Sequence, residues 1–354
     1  MDPRAWLLRA AHRKALDRLK RDRTAERKAH LLTGDLETMQ LEPARQMPDE
    51  IAVLLLACAP SLPRDAQVAL ALRALGGLST PEVARALLIS ESSAAQRIVR
   101  AKREIGRLGP APISAEDMDS RIDAAMDVLY LIFSEGHHAT GGSDLVRAQL
   151  VDDALRLGGQ LSATRETARP RVHALLSLMH FGASRLLARV DDLGDVVLLE
   201  AQDRSRWDQA HLALAFHHLD HAAQGRDVSR FHLEAGIAAA HAGARDAEST
   251  DWAHILALYD EMQSRWPSPI VALNRAVAVL HVEGPKAAER ALLPAQSDPS
   301  LALYAPLYAV AAEVARRGGD EARAGALLDR ALACPCSEPQ RRFLSRRREG
   351  LARR

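Results

Sequence analysis

Polar and basic side chains that could contact phosphate oxygens and base edges recur along one short stretch of the chain. They are Ser92, Ser93, Gln96, Arg97, Arg100 and Arg103. The apolar residues between them recur at helical spacing, so the stretch predicts an amphipathic helix that packs by its apolar side. These apolar residues are Ala94, Ile98, Ala101 and Ile105. Hydroxyl, amide and guanidinium groups on the other side suit a DNA major groove, and the alternative is a helix hairpin with an ordinary solvated basic face.

Capping and turn residues before this stretch predict the elements that must position it. Gly76-Gly77 can end one helix, and Ser79 with Glu82 three residues later has the spacing of a capping box. A short helix is therefore expected to begin near Thr80. Ser90 is a good N-cap for the helix that carries the polar stretch. Two helices joined by a tight bend indicate a helix-turn-helix, whose second helix is the recognition helix.

A second basic stretch lies near the start of the chain. Residues 2–28 combine an apolar stripe at helical spacing with many basic residues, which predicts a basic amphipathic helix. Its candidate DNA-contacting residues are Arg9, Arg13 and Arg18. The alternative is again a solvated face. Residues 31–49 lose the pattern and predict a linker, after which helices are expected at 50–58 and 63–75.

Composition favours an all-α protein of two or three domains, because only 4% of the 354 residues are aromatic. Lys and Arg outnumber Asp and Glu by about six up to residue 109 and are outnumbered by about five beyond it, so the basic end is the expected nucleic-acid end. The three cysteines are an odd number, and Cys334-Pro335-Cys336 lacks the spacing of a zinc site. No signal peptide opens the chain, and we expect a soluble cytoplasmic protein.

The remaining candidate sites are weaker. His217 and His221 stand one helical turn apart in a histidine-rich stretch, but no carboxylate motif accompanies them and we expect no metal. Residues 203–208 alternate charges beside a tryptophan, which predicts either a buried ion-pair corner or a partner-binding loop. Phosphate-loop, nucleophile-elbow and paired-carboxylate motifs are lacking, so we expect neither an enzyme nor a cofactor.

Repeated helix pairs are predicted in the second half of the chain. Residues 210–350 read as alanine-rich helices of about 12 to 17 residues separated by short Gly, Asp or Pro breaks. The segment Leu307 to Ala333, with Arg317-Gly318-Gly319-Asp320 at its bend, resembles a tetratricopeptide unit. The pairs 251–282 and 285–317 repeat that spacing. A short curved solenoid is therefore expected, with its inner surface a candidate groove for a protein or ligand.

The order of these elements resembles the extracytoplasmic-function sigma factors of bacterial RNA polymerase. Residues 3–19 are similar to the last helix of sigma region 2, and residues 62–79 are similar to region 4. The most family-like phrase is Ala95-Gln96-Arg97-Ile98-Val99-Arg100-Ala101-Lys102. The resemblance implies that the first helix reads the downstream promoter element and the helix-turn-helix reads the upstream element. It also implies promoter DNA and RNA polymerase core as partners.

Beyond residue 109 the chain resembles a subgroup of these sigma factors that carries a long helical extension. The similar segments are 129–136, 198–208 and 268–279, although Ser134 and His137-His138 depart from the usual residues of the first. The resulting division has six parts: a region 2 remnant at 1–30, a linker at 31–49, region 4 at 50–109, a linker at 110–118, a helical extension at 119–209, and tetratricopeptide-like repeats at 210–354. The extension is expected to serve regulation or protein interaction.

Three functions remain open on the sequence. They are a sigma-type promoter-recognition protein, a non-sigma DNA-binding regulator with a helical sensor domain, and an enzyme that merely carries a helix-turn-helix. Opening DNA requires aromatic side chains on which unpaired bases stack, and Trp6 is the sole aromatic residue before Tyr130. Because the likeness to region 2 begins at its last helix, we expect this chain to bind duplex promoter elements without opening them by itself.

Overall fold

The computed structural model describes residues 47–75, 77–87, 89–108, 115–138, 146–192 and 194–352. These residues form fifteen α-helices and no β-strand, which confirms the predicted all-α class; an isolated bridge joins Val190 and Val196. The predicted N-terminal helix, with Arg9, Arg13 and Arg18, lies outside the described residues.

Four helices build the first part of the fold: α1 (Asp49–Ala57), α2 (Arg64–Ala74), α3 (Thr80–Ala86) and α4 (Glu91–Leu108). The capping box is present, because the Ser79 amide donates to Glu82 Oε2 at 2.7 Å while the Glu82 amide donates to Ser79 Oγ at 3.4 Å. Gly77 has a φ of 62°, a conformation that glycine adopts without strain. Ser90 Oγ accepts from the Ser93 amide at 3.2 Å. Both predicted helix starts are therefore confirmed.

Three further helices pack beside this unit: α5 (Ala115–His137), α6 (Ala148–Ala163) and α7 (Pro170–Ser184). Ile51 and Leu54 of α1 belong to the same buried cluster as Ile122 and Met126 of α5. The side chain of Arg121 also donates to the Leu55 carbonyl at 2.7 Å. The first four helices thus share one core with the next three, and the domain boundaries stay a prediction.

Eight helices of 12 to 15 residues complete the chain. They are α8 (Gln209–Ala222), α9 (Arg230–Ala242), α10 (Trp252–Arg265), α11 (Pro269–Val282), α12 (Pro285–Gln296), α13 (Ala305–Arg317), α14 (Glu321–Ala333) and α15 (Glu338–Ala352). Side-chain oxygens of Asp208, Asp251, Ser268 and Asp320 cap the starts of α8, α10, α11 and α14. Gly319, with a φ of 85°, turns the chain between α13 and α14. From α9 onward consecutive helices pack against each other around a second core, while α8 packs mainly on α7 in a third core that includes Trp207. The kinship of these helices with tetratricopeptide repeats remains a prediction.

Candidate nucleic-acid interface

Helix α4 packs against α2 and α3 by one side, as the sequence predicts. Ala94 and Ala101 are fully buried and Ile98 is 6% exposed, while Ile105 is half-buried against the same core. Val83 and Ala84 of α3 are buried in that core as well. The apolar spacing of the recognition helix therefore fixes which of its sides faces away from the protein.

The outer side of α4 carries most of the predicted DNA-contacting residues. Ser92, Gln96, Arg100 and Arg103 are exposed to solvent. Arg100 and Arg103 have no carboxylate within ion-pair distance among the residues that the structure describes. Their guanidinium groups are therefore available to phosphate oxygens or guanine edges.

Arg97 and Ser93 have partners within the protein. Arg97 Nη1 lies 3.1 Å from Asp65 Oδ2 of α2, and the Arg97 side chain is 32% exposed. Ser90 Oγ donates to Ser93 Oγ at 2.8 Å, so that Ser93 helps to hold the start of α4. The sequence alone could not reveal the Arg97 pair, since its two members are far apart along the chain.

Val99 also lies on this surface, although it was not among the predicted DNA-contacting residues. Its side chain is 56% exposed, although a valine on a packed helix is usually buried. Val99 follows Gln96 by three residues and precedes Arg103 by four, which sets it in the same stripe. Val99 does not belong to the apolar set Ala94, Ile98, Ala101 and Ile105. Its place outside that set is the feature of the sequence that could have indicated its exposure.

Charged pairs hold the helix-turn-helix to the helices behind it. Arg147 Nη1 lies 2.8 Å from Glu82 Oε1, and hydrogen bonds from Ser79, aided by Arg147, lower the pKa of Glu82. Glu50 of α1 pairs with Arg156 of α6. Asp127 of α5 pairs with Arg64 of α2 and with Arg230 of α9, the latter at 2.7 Å. Each pair is partly exposed and contributes little alone, but together they fix the orientation of α4 relative to the extension.

The corner at 203–208 differs from the predicted ion-pair arrangement. Asp203 and Asp208 each accept from a backbone amide at the start of a helical turn, and within the described residues neither carboxylate lies within 4.0 Å of the guanidinium of Arg204 or Arg206. Arg204 instead donates to the carbonyls of His241 and Ala244 at 2.5 Å, with its guanidinium carbon 5.0 Å from the Trp207 ring centroid. The corner is locked by capping, backbone hydrogen bonds and a cation–π contact.

The remaining predictions concern the cysteines, the histidine pair and membrane-spanning segments. Cys58, Cys334 and Cys336 are free thiols, and burial raises the pKa of Cys58 to about 12. Over the described ranges no group of three or more His, Cys, Asp or Glu residues could hold a metal ion. His217 and His221 instead belong to a row of contacting imidazole rings between α7 and α8. No helix in the described ranges is both long and apolar enough to cross a bilayer.

The capped bend and the exposed basic helix define a DNA-binding domain of the helix-turn-helix class. Residues 52–105 match the family described as "Sigma-70, region 4", and residues 121–223 match a family of unknown function, DUF6596. An uncharacterized protein of Rhizobium meliloti (strain 1021) is 39% identical over 297 residues, which cover 81% of this chain and 70% of that protein. No solved structure matches the chain. The chain belongs to the same family as this relative, and its region 4 domain makes it a member of the sigma-70 family.

Proposed function

We propose that this protein is an extracytoplasmic-function-type sigma factor that recognises promoter DNA through the outer side of α4. Region 4 of the sigma-70 family is a transcription-factor domain that implies contact with promoter DNA and RNA polymerase. The observation that carries the proposal is the exposure of Ser92, Gln96, Arg100 and Arg103 on a helix whose opposite side is buried. We also propose that the protein acts in the cytoplasm, where the polymerase core is found.

The residues of α4 divide between affinity and sequence choice. Arg100 and Arg103 are free to contact phosphates, which adds affinity for any duplex and makes binding depend on salt. Gln96 carries an amide that can donate to and accept from an adenine edge. Val99 beside it offers an apolar surface suited to a thymine methyl group. Arg97 contributes when it leaves Asp65, so its contribution is smaller than that of its neighbours.

The predicted N-terminal helix would supply a second contact with the promoter. Arg9, Arg13 and Arg18 would face the downstream element, as the resemblance to region 2 implies. A protein that touches two elements gains affinity only when the spacing between them matches its own geometry. Promoters with altered spacing should therefore bind about as weakly as promoters with one altered element.

The extension is proposed to regulate the helix-turn-helix through a protein partner or ligand. Asp127 supports this role, because its two oxygens hold the first residue of α2 and the first residue of α9. A partner that displaces α9 would therefore disturb the support of α2, against which α4 packs. The tetratricopeptide-like pairs from α10 onward are the proposed partner-binding surface.

A gel-shift experiment with and without RNA polymerase core tests this function. A sigma factor should select a promoter from a mixture of duplexes only when core is present. The second candidate, a non-sigma regulator with a helical sensor domain, should show the same selectivity without core. Equal selectivity in both lanes would therefore favour the regulator.

A further inference from the structure

Two arginines near the end of α7 are half-buried without a carboxylate partner. Arg185 and Arg189 have no carboxylate oxygen within 4.0 Å among the residues that the structure describes. The Arg185 guanidinium carbon lies 5.9 Å from the Trp207 ring centroid. Arg189 Nη2 contacts His138 Nδ1 at 3.0 Å, while its Nε atom is buried and makes no hydrogen bond there. These two guanidinium groups therefore lack the counter-charge that buried cations usually have.

Among the described residues, the groups whose charges act on these two arginines are themselves arginines. Burial, and then the charge of Arg204, lowers the pKa of Arg185 to about 10. Burial, and then the charge of Arg185, lowers the pKa of Arg189 to about 9. Burial and the same arginines lower the pKa values of His138 and His241 to about 4, so both imidazoles stay neutral at pH 7.

The carboxylates closest to this cluster act on its outer members and have partners of their own. Asp246 faces Arg204 and accepts from the Ser249 amide at 2.7 Å. Glu200 faces His241 and lies 3.1 Å from His281 Nε2. Neither carboxylate is available to balance the inner pair of arginines.

Arg204 shows how an arginine with a purely structural role is held in this corner. Its Nη1 atom donates to two backbone carbonyls at the end of α9, and its guanidinium stacks on Trp207. In the described part of the chain Arg185 makes no such hydrogen bond to a backbone carbonyl, although its guanidinium carbon also lies near the Trp207 ring. A structural role therefore accounts for Arg204 and leaves Arg185 and Arg189 unexplained.

We propose that Arg185 and Arg189 bind the phosphate group of a small-molecule ligand, in a corner that Arg204 and His138 also line. Guanidinium forks match the tetrahedral oxygens of phosphate and bind it through paired hydrogen bonds. Two adjacent arginines carry enough charge for a phosphate dianion, whereas a single carboxylate would leave one charge unbalanced. Arg185 and Arg189 follow α7 and are half-buried, so this site is separate from the exposed outer side of α4.

The position of the site indicates what ligand binding would do. Its residues come from the end of α5, the end of α7 and the turn before α8, and His138 Nε2 also contacts Gln340 Nε2 of α15 at 2.6 Å. A bound phosphate would join these helix ends through one charged group. We therefore expect ligand binding to stiffen the contact between the helical extension and the last helix of the chain.

Binding of inorganic phosphate to the full chain tests this proposal. Unfolding temperature and isothermal titration are measured in phosphate and in chloride at equal ionic strength, with glycerol phosphate as a phosphomonoester arm and duplex DNA as a competitor. We expect saturable binding that raises the unfolding temperature and that duplex DNA does not displace. Tighter binding of glycerol phosphate would indicate a phosphorylated metabolite as the ligand, and tighter binding of inorganic phosphate would indicate free phosphate.

Three variants separate the site from general charge effects. Arg185→Gln and Arg189→Gln should each weaken phosphate binding by about tenfold or more, because each removes one guanidinium fork. Arg206→Gln, an exposed arginine in the same corner, should bind like the wild type. Arg185→Gln should also unfold at an equal or higher temperature in chloride, since it removes an unpaired charge, whereas loss of a structural arginine would lower that temperature. Absence of saturable phosphate binding in the wild type, or equal binding by all variants, would overturn the proposal.

Discussion

Arg97 Nη1 of the recognition helix lies 3.1 Å from Asp65 Oδ2 of α2. The pair gives α4 one arginine that is held against the protein beside two, Arg100 and Arg103, that are free within the described part of the chain. The three arginines therefore differ in their availability to DNA although they share one amphipathic pattern. Because Asp65 holds Arg97, loss of the Asp65 charge should raise affinity for DNA rather than lower it.

Asp65→Asn should increase affinity for any DNA duplex. The amide keeps the local hydrogen bond from the Ala66 amide but releases the charge of Arg97, so one more phosphate contact becomes possible. The slope of log affinity against log salt should become steeper by about one. Fluorescence anisotropy with a labelled duplex at several salt concentrations measures this slope. Asp260→Asn on the distant α10, which frees Arg275 of α11, serves as the matched control and should leave the slope unchanged.

Gln96 and Val99 should determine which sequence is preferred. Gln96→Ala removes an amide that can read a base edge, and the loss should be about 1 to 3 kcal/mol at one base pair of the preferred site. Val99→Ser should reduce the preference for thymine at a neighbouring position. Selection from a randomised duplex library in the presence of RNA polymerase core measures both preferences. If both variants select the wild-type sequence with unchanged discrimination, the outer side of α4 does not read bases.

The fragment 115–354 should be helical but less stable than the full chain. Ile122 and Met126 of α5 lie in one buried cluster with Ile51 and Leu54 of α1, so the fragment exposes apolar surface that the chain buries. Circular dichroism should show a helical spectrum with a cooperative transition at a lower temperature than that of the full chain. An equal transition temperature would mean that the shared core contributes no stability, and a strand-rich spectrum would contradict the fold.

Acidification should destabilise the contact between α7 and α8. His173 Nδ1 lies 2.9 Å from His218 Nδ1, and His180 Nδ1 lies 2.9 Å from His211 Nδ1. Each short contact needs one protonated and one unprotonated nitrogen, so a second proton would set two donors against each other.

The sign of this pH effect follows from the folded-state pKa values. Burial, assisted by neighbouring imidazoles, lowers the pKa of His173 to about 4, of His180 to about 3 and of His218 to about 2. The unfolded chain therefore binds protons first as pH falls below about 6.5, and stability is lost from there toward pH 4 at about 1.4 kcal/mol per pH unit for each histidine.

Urea unfolding at several pH values measures the effect. His218→Gln should flatten the dependence of unfolding free energy on pH between 6.5 and 4, with pH 7.5 as the reference at which the buried histidines are neutral. An unchanged dependence would show that this histidine does not become charged on unfolding.

Local sequence signals predicted the helix-turn-helix well. Ser79 with Glu82 and the hydroxyl of Ser90 act through backbone groups at most three residues away, so their spacing carried the information. The burial of Ala94 and Ala101 likewise followed from helical periodicity. Such signals require no knowledge of tertiary structure.

Contacts between distant segments could not be predicted in the same way. Helix packing that no local pattern encodes brings Arg97 to Asp65. It also forms the row of contacting imidazole rings between α7 and α8. Residues 203–208 were expected to form either an ion-pair corner or a partner-binding loop, yet their carboxylates serve as caps. Arg185 and Arg189 gave no signal at all, because an arginine is normally exposed and only the structure shows these two half-buried.

The salt dependence of DNA binding by Arg100→Ala and Arg103→Ala tests the central claim most directly. Each arginine that contacts a phosphate contributes about one unit to the slope of log affinity against log salt, so the double variant should lose about two. Arg275→Ala, on the distant α11, should retain the wild-type slope. If the double variant binds duplex DNA with the affinity and slope of the wild type, α4 is not the DNA-binding surface and the proposed function is contradicted.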